Sequence, residues 1–306
     1  MVRPMIGIGI ACAVGASVGF TVNDTAVKLL SGGYALHQVV LIRAAIACTL
    51  ITLVVMPLFG GWHHLRSRHL GQHAVRGGLL VFANMCFFLS LSVMPIAEAT
   101  AIYFAGPLIV ALFSVVFLGE RVGPRRWAAI AVGLVGVMVI IRPGSEVFAP
   151  VALLPLLAAT GYAGMNIMTR RMRVTESALT LAFYVQIMFI SVSTMFGLAL
   201  GHGQFDPGDG GALSFLTRGW VWPALGDWAI FGLAGVASTM GGLLIAQAYR
   251  ACEAALVAPL EYAALPLAIL SGLLVFGDRP DALAWAGMAL ILGAGLFMAW
   301  RETRAA

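Results

Sequence analysis

Apolar runs of about 18 to 25 residues recur along the whole chain, at about 5–30, 36–58, 74–93, 97–118, 125–142, 150–170, 178–199, 222–249, 254–276 and 283–300. A helix rises about 1.5 Å per residue, so each run reaches most or all of the way across the roughly 30 Å hydrocarbon core of a bilayer. Inside lipid, backbone N–H and C=O groups find no water and must pair within a helix or around a closed barrel. A barrel would alternate apolar and polar residues in strands of about ten residues. These runs are continuous Leu, Ile, Val and Ala. They predict an all-α membrane protein with ten transmembrane helices. Composition agrees, since only 10% of the 306 residues are charged and 61% are hydrophobic. A soluble domain carries about 25% charged residues, so this chain lacks the polar surface to cover a water-soluble globule.

The net charge of +5 raises the question of a nucleic-acid partner, and the positions of the charges answer it. With a cytoplasmic N-terminus, ten spans place Arg3, Arg66, Arg68, Arg76, Arg121, Arg125, Arg126, Arg170, Arg171, Arg173, Arg250, Arg301 and Arg304 on one side. Only Lys28, Arg142, Arg218 and Arg279 fall on the other, with Arg43 inside the second span. Basic residues accumulate in cytoplasmic loops, so both termini are expected in the cytoplasm. The charge reflects topology and implies no nucleic acid. The first run is too long for a signal peptide and has no cleavage region, so it is expected to remain as a helix of an inner-membrane protein. Cys12, Cys48, Cys86 and Cys252 all fall inside predicted helices without CxxC spacing, and read as small packing residues.

The chain is written twice. "EATAIYFAGPLIVALFSVVFLGERVGPRRW" begins at Glu98, and "EAALVAPLEYAALPLAILSGLLVFGDRPDALAW" begins at Glu253. Each opens with Glu-Ala, runs through a proline-broken apolar helix to Gly-acid-Arg, and then starts a helix containing Trp. Glu98 pairs with Glu253, Gly119-Glu120-Arg121 with Gly277-Asp278-Arg279, and Trp127 with Trp285. At an offset of 143, Asn23 meets Asn166, Lys28 meets Arg171 and Arg43 meets Gln186, while Asp24 meets Ile167. Five spans per half is an odd number, so the halves insert with opposite orientation, as two inverted five-helix repeats over 1–145 and 146–306. Inverted repeats place a solute site near the midplane between the halves and allow alternating access.

The ten spans, the duplicated "LGER" and "FGDR" segments, the Asn-Asp…Lys opening and "APLEY" at 258–262 resemble the drug/metabolite transporter superfamily, in particular its ten-helix EamA-type exporters. The resemblance covers nearly the whole chain. It implies secondary transport of small organic solutes, often export, through a central cavity. The chain is also similar to bacterial aromatic amino acid exporters, which implies aromatic or other bulky amino acids as substrates. Cationic drugs and other metabolites are the alternative.

An ionisable residue within a membrane helix costs about 2.5–3.5 kcal/mol on insertion scales, so each needs a partner or a wet cavity. Asp24 and Arg43 lie about ten residues either side of the turn at Gly32-Gly33, at similar depth, and a pair between them is geometrically expected. Lys28 shares the face of Asp24 one turn on. These charges either neutralise one another and fix helix packing, or line the cavity and hold a zwitterion or relay a proton. Proline at matching positions of two halves points to a transport site, which singles out Tyr103 and Pro107 in "YFAGP", and Glu261 and Tyr262 between Pro259 and Pro266. Further substrate-binding or gating candidates are Asn23, Asn84, Phe88, Tyr162, Asn166, Tyr184, Gln186 and Gln247. Each of these also suits interhelical bridging worth about 1 kcal/mol.

Other motifs carry less. "GASVG" at 15–19 matches G-x-S-x-G but lies within a helix, where it reads as a small-residue packing face. His63, His64, His69 and His73 are interleaved with Arg66, Arg68 and Arg76, whose charge repels a metal, and are expected in a solvated loop. No phosphate-binding loop is present, so neither a nucleotide nor another cofactor is implied. An intramembrane enzyme would need a nucleophile–base or metal constellation at shared depth, which the sequence does not supply. The implied partners are the lipid bilayer and a small-molecule substrate.

Overall fold

The breaks between helices fall largely where the sequence places proline, glycine or a short polar turn. The computed structural model describes residues 2–59, 61–118, 123–143, 150–172, 176–252, 257 and 260–305, and among these every regular element is helical. In chain order they are α1 (Val2–Leu30), α2 (Leu36–Leu50), α3 (Leu70–Leu91), α4 (Ile96–Tyr103), α5 (Gly106–Leu118), α6 (Pro124–Ile141), α7 (Leu154–Met172), α8 (Ala178–Leu200), the short α9 (Ala212–Thr217), α10 (Asp227–Ala251), α11 (Ala264–Ser271) and α12 (Ala282–Ala305). Helix α2 continues through a π turn at Ile51–Val55 to Met56–Leu58. Pro57 follows that turn and has no N–H to give, and the ladder shifts so that the Met56 N–H reaches the Ile51 carbonyl. Helix α11 likewise ends in a π turn, Gly272–Phe276.

Among the described residues, six helical stretches are long and apolar enough to cross a membrane: Gly7–Leu30, Leu36–Leu58, Leu70–Leu91, Pro150–Thr169, Ala178–Leu200 and Asp227–Ala248. Four shorter apolar helices, Ile96–Ile109, Trp127–Ile141, Ala264–Phe276 and Ala282–Met298, occupy the remaining apolar runs. The Gly119-Glu120-Arg121 half of the duplicated motif, Glu253 and Pro259 lie outside the described residues.

Helix α1 packs along α10, α3 along α7, α2 against α8 and α10, and α6 along α12, while α11 meets both α1 and α4. Lipid tails are as apolar as Leu, so such contacts depend on close packing of small residues. A Cβ at Gly19 on α1 would stand 3.0 Å from the Ala237 carbonyl oxygen of α10. One at Gly136 on α6 would stand 2.8 Å from the Gly287 carbonyl oxygen of α12.

The connections gather at two ends. At one, the Tyr34 hydroxyl donates to Asp227 (2.5 Å), Gln38 Nε2 to the Val221 carbonyl (2.6 Å) and Arg142 to Asp281 (2.5 Å). At the other, the Tyr184 hydroxyl donates to the Leu65 carbonyl (3.0 Å) and Ser67 to Glu176 (2.5 Å). His63, Arg66 and Arg68 are exposed, as expected of a solvated loop, and the difference lies at His73. His69 Nδ1 lies 3.0 Å from Glu176, and His73 is 2% exposed and stacks on Tyr184 at 4.2 Å. The carboxylate of Glu176, delivered by the α7–α8 connection, offsets the neighbouring arginines and lets the His73 imidazole bury. Two apolar clusters fill the bundle, one around Phe88, Phe189 and Phe231 and one around Ile102, Leu108 and Ile291. Tyr103 packs on the first and Phe104 on the second, so the α4–α5 break sits between them.

Candidate functional site

Helix α1 turns Asn23 and Asp24 into the bundle. Asn23 is 4% exposed; its Nδ2 donates to Asp24 Oδ1 at 2.9 Å, and its Oδ1 accepts from Arg43 Nη1 of α2 at 3.2 Å. The expected direct Asp24–Arg43 pair is therefore corrected to a relay through the Asn23 amide. Phe88 of α3 and Phe189 of α8 flank the Arg43 guanidinium, with Cζ 5.2 Å and 4.9 Å from their ring centroids. Such contacts contribute about 0.5–2 kcal/mol each, more where water is excluded. The two rings explain how a cation is tolerated at this depth, and Arg43 Nε remains buried without a hydrogen-bond partner.

The second part of the site forms at the helix break. Pro107 has no N–H for the Tyr103 carbonyl, and Ala105 instead donates to Ile102 in a tighter turn (3.0 Å). The break brings Tyr103 against Phe87 (5.0 Å between centroids) and Tyr162 of α7 (5.5 Å), and Phe104 against Tyr262 (5.0 Å). Asp24, Tyr103 and Tyr162 lie deep in the bundle, yet each keeps intermediate accessibility. Asp24 acts electrostatically on Tyr103, and Glu261 on Tyr103, Tyr162 and Tyr262, so two carboxylates lie near the aromatic cluster. Asn166 lies one turn along α7 from Tyr162. Beyond it Arg76 Nε donates to Thr169 at 2.7 Å and Arg76 Nη1 to the Leu181 carbonyl at 3.3 Å. Tyr262 is 5% exposed with its hydroxyl unpartnered, and the missing side chain of Gly295 on α12 makes room for its ring.

The remaining candidates are placed elsewhere. Lys28 does not join the Asp24–Arg43 group; its Nζ donates to the Met94 carbonyl (2.9 Å) and to Asp278 Oδ2 (3.1 Å). Its long stem carries the ammonium past the turn to the end of the bundle. Asn84 is half-buried and donates back to the Leu80 carbonyl of its own helix (3.2 Å). Tyr184 belongs to the histidine end, and Gln186 is half-buried on α8. Pro107 itself is exposed and acts through the break it makes. Gln247 is exposed on the α10 stripe of Leu233, Val236 and Met240, turned away from the site because that face looks outward. The sequence reading missed Arg76, counted there only as a loop charge, and Phe189, which nothing distinguishes from other apolar positions of its run. It missed Asp278 as the partner of Lys28, although the duplicated Gly-acid-Arg segment was a usable signal. At the periphery, the hydrogen bond from Arg142 holds the Asp281 carboxyl below its ordinary range.

Comparisons with known proteins fit this arrangement. Residues 7–142 match the family model of the EamA-like transporter family. A riboflavin transporter of Rhizobium johnstonii is 32% identical over 240 residues, 78% of this chain and 74% of its own. An S-adenosylmethionine uptake transporter of Rickettsia bellii is 27% identical over 97% of this chain and 95% of its own. A solved crystal structure, 20% identical over 99% of both chains, shares the fold with a TM-score of 0.63.

Proposed function

We propose that this chain, which belongs to the EamA-like transporter family of small-molecule membrane transporters, moves a ring-bearing organic metabolite by alternating access between two inverted five-helix repeats. The observation that carries this reading is the ring cluster of Tyr103, Tyr162 and Phe87 at the helix break with Asp24 and Glu261 beside it, which we take as the wall of an internal solute space. An aromatic wall takes the face of a planar ring, and the carboxylates and Asn23 fix its polar edge. The relatives' names, riboflavin and S-adenosylmethionine transporters, support ring-bearing solutes with heteroatom edges. Repeats over 1–145 and 146–306 are supported by the packing: exchanging the halves turns the α1–α10 pair into the α7–α3 pair and returns α2–α8 and α6–α12 to themselves. The excess of arginine on the side of the 65–69 connection supports cytoplasmic termini and an inner-membrane location.

Aromatic amino acids form a second reading. It rests on the closeness of cation and anion at Arg43, Asn23 and Asp24, which suits a zwitterionic head group. The experiment is flux into and out of proteoliposomes with labelled riboflavin, S-adenosylmethionine, tryptophan and a quaternary ammonium drug. Saturable movement of riboflavin or S-adenosylmethionine, lost in Tyr103→Ala and Tyr162→Ala, is expected. Saturable movement of tryptophan alone selects the second reading, and leak without saturation removes both.

A further inference from the structure

Lys28 joins three elements. Its ammonium bonds the Met94 carbonyl in the α3–α4 connection and Asp278 in the α11–α12 connection, and lies 4.7 Å from the Phe276 ring centroid. Asp278 is held for this contact. Gly277 adopts a left-handed conformation (φ 71°), and the Asp278 N–H bonds the Gly272 carbonyl at 2.9 Å to close the π turn. One turn deeper on α1, the Thr25 hydroxyl meets the Ser271 hydroxyl of α11 at 2.6 Å. Glu98, at the start of α4, feels the charges of Lys28, Asp278, Arg142 and Asp281.

Placement gives this cluster its meaning. Asp24 lies four residues before Lys28, about 6 Å along the helix axis, and faces the internal site. Lys28 and Asp278 therefore stand between that site and the nearer end of the bundle. Lys28–Asp278 and Arg142–Asp281 differ in what backs them. Arg142–Asp281 joins α6 to α12, whose backbones touch at Gly136 and Gly287, so these helices stay packed whether or not the pair holds. No comparable backbone contact through a glycine holds α1 to α11 among the described residues; the Thr25–Ser271 and Lys28–Asp278 contacts tie them through side chains. The Lys28–Asp278 partners are 12% and 27% exposed, and water can take over their hydrogen bonds once the two helices separate.

We infer that Lys28, Asp278 and the Met94 carbonyl form a latch that closes this end of the pathway above the Asp24–Tyr103 site, and that α11 swings from α1 when it opens. The inference rests on the transport reading for its purpose, and its test does not need a substrate. Tyr103→Cys is introduced after Cys12, Cys48, Cys86 and Cys252 are replaced by serine. An impermeant maleimide is then applied to intact cells and to inside-out vesicles, so that each end is probed alone. With the latch intact, labelling of position 103 from the Lys28 side is slow. Lys28→Ala and Asp278→Asn each raise it about tenfold or more from that side only. An oxidised Thr25→Cys/Ser271→Cys disulfide abolishes it, and reductant restores it. Equal labelling in the latched, unlatched and cross-linked proteins overturns the latch. Faster labelling, with no saturable flux of any solute in the panel by the parent protein that retains Tyr103, upholds the latch and removes the transport reading instead.

Discussion

Arg43 and Asn23 meet at 3.2 Å, Nη1 to Oδ1, and through Asn23 the guanidinium reaches Asp24. Cation and carboxylate are thereby kept close without collapsing onto each other, which leaves the Asp24 carboxylate turned towards the internal space. Asn23→Ala removes the relay and leaves a second buried guanidinium nitrogen without a partner beside Nε. An unsatisfied buried donor costs about 1–3 kcal/mol. Thermal unfolding in detergent is expected to show a loss of that size, with reduced flux in proteoliposomes.

Arg43→Lys keeps the charge and loses the plane. A compact ammonium cannot lie flat between Phe88 and Phe189 while holding Asn23 in a fixed direction. Losing about 1–2 kcal/mol of stacking and hydrogen bonding corresponds to roughly a tenfold fall in solute affinity. Arg43→Ala is expected to lower transport further, and more than Lys28→Ala does. Equal activity of Arg43→Lys and the parent would show that the ring sandwich has no part in binding.

The α6–α12 contact is set by backbone proximity. Gly136→Ala places a methyl group 2.8 Å from the Gly287 carbonyl oxygen and 2.9 Å from Ile291 and Leu290 side-chain atoms. Overpacking of this kind costs about 1–3 kcal/mol. A lowered unfolding midpoint with an unchanged solute preference is expected, because this interface lies away from the aromatic wall.

Glu176 ties the two connections at the histidine end. Burial pushes its carboxyl up, but the hydrogen bonds of Ser67 and His69 and the charge of His73 outweigh burial and leave it below the ordinary value of 4.5. A carboxyl with a depressed folded-state pKa adds stability above its unfolded value, and that stability is lost as pH falls below about 4.5 through the folded value. Unfolding midpoints measured from pH 7 downwards are expected to drop over this window, and Glu176→Gln to flatten the drop. A Glu176→Gln profile parallel to the parent's would count against the tether.

The helical order was written in local features. Apolar runs long enough for hydrocarbon, Pro107 at the α4–α5 break, Pro57 after the π turn and the Gly32-Gly33 turn each act within a few residues, so the sequence alone determined the class of fold and marked most of its long helices to within several residues, though not the short α9. It also marked most of the polar residues that reach the interior, since ionisable groups are conspicuous in lipid. Their partners were decided only by tertiary structure. Lys28 bonds Asp278, 250 residues away, Asn23 intervenes between Asp24 and Arg43, and Gln247 turns outward while Arg76 turns in. In water, a polar face reveals how a helix is rotated against its core. In a bilayer the lipid-facing and buried faces are both apolar, so rotation about the helix axis leaves little trace in the sequence, and it is rotation that selects each side chain's neighbours.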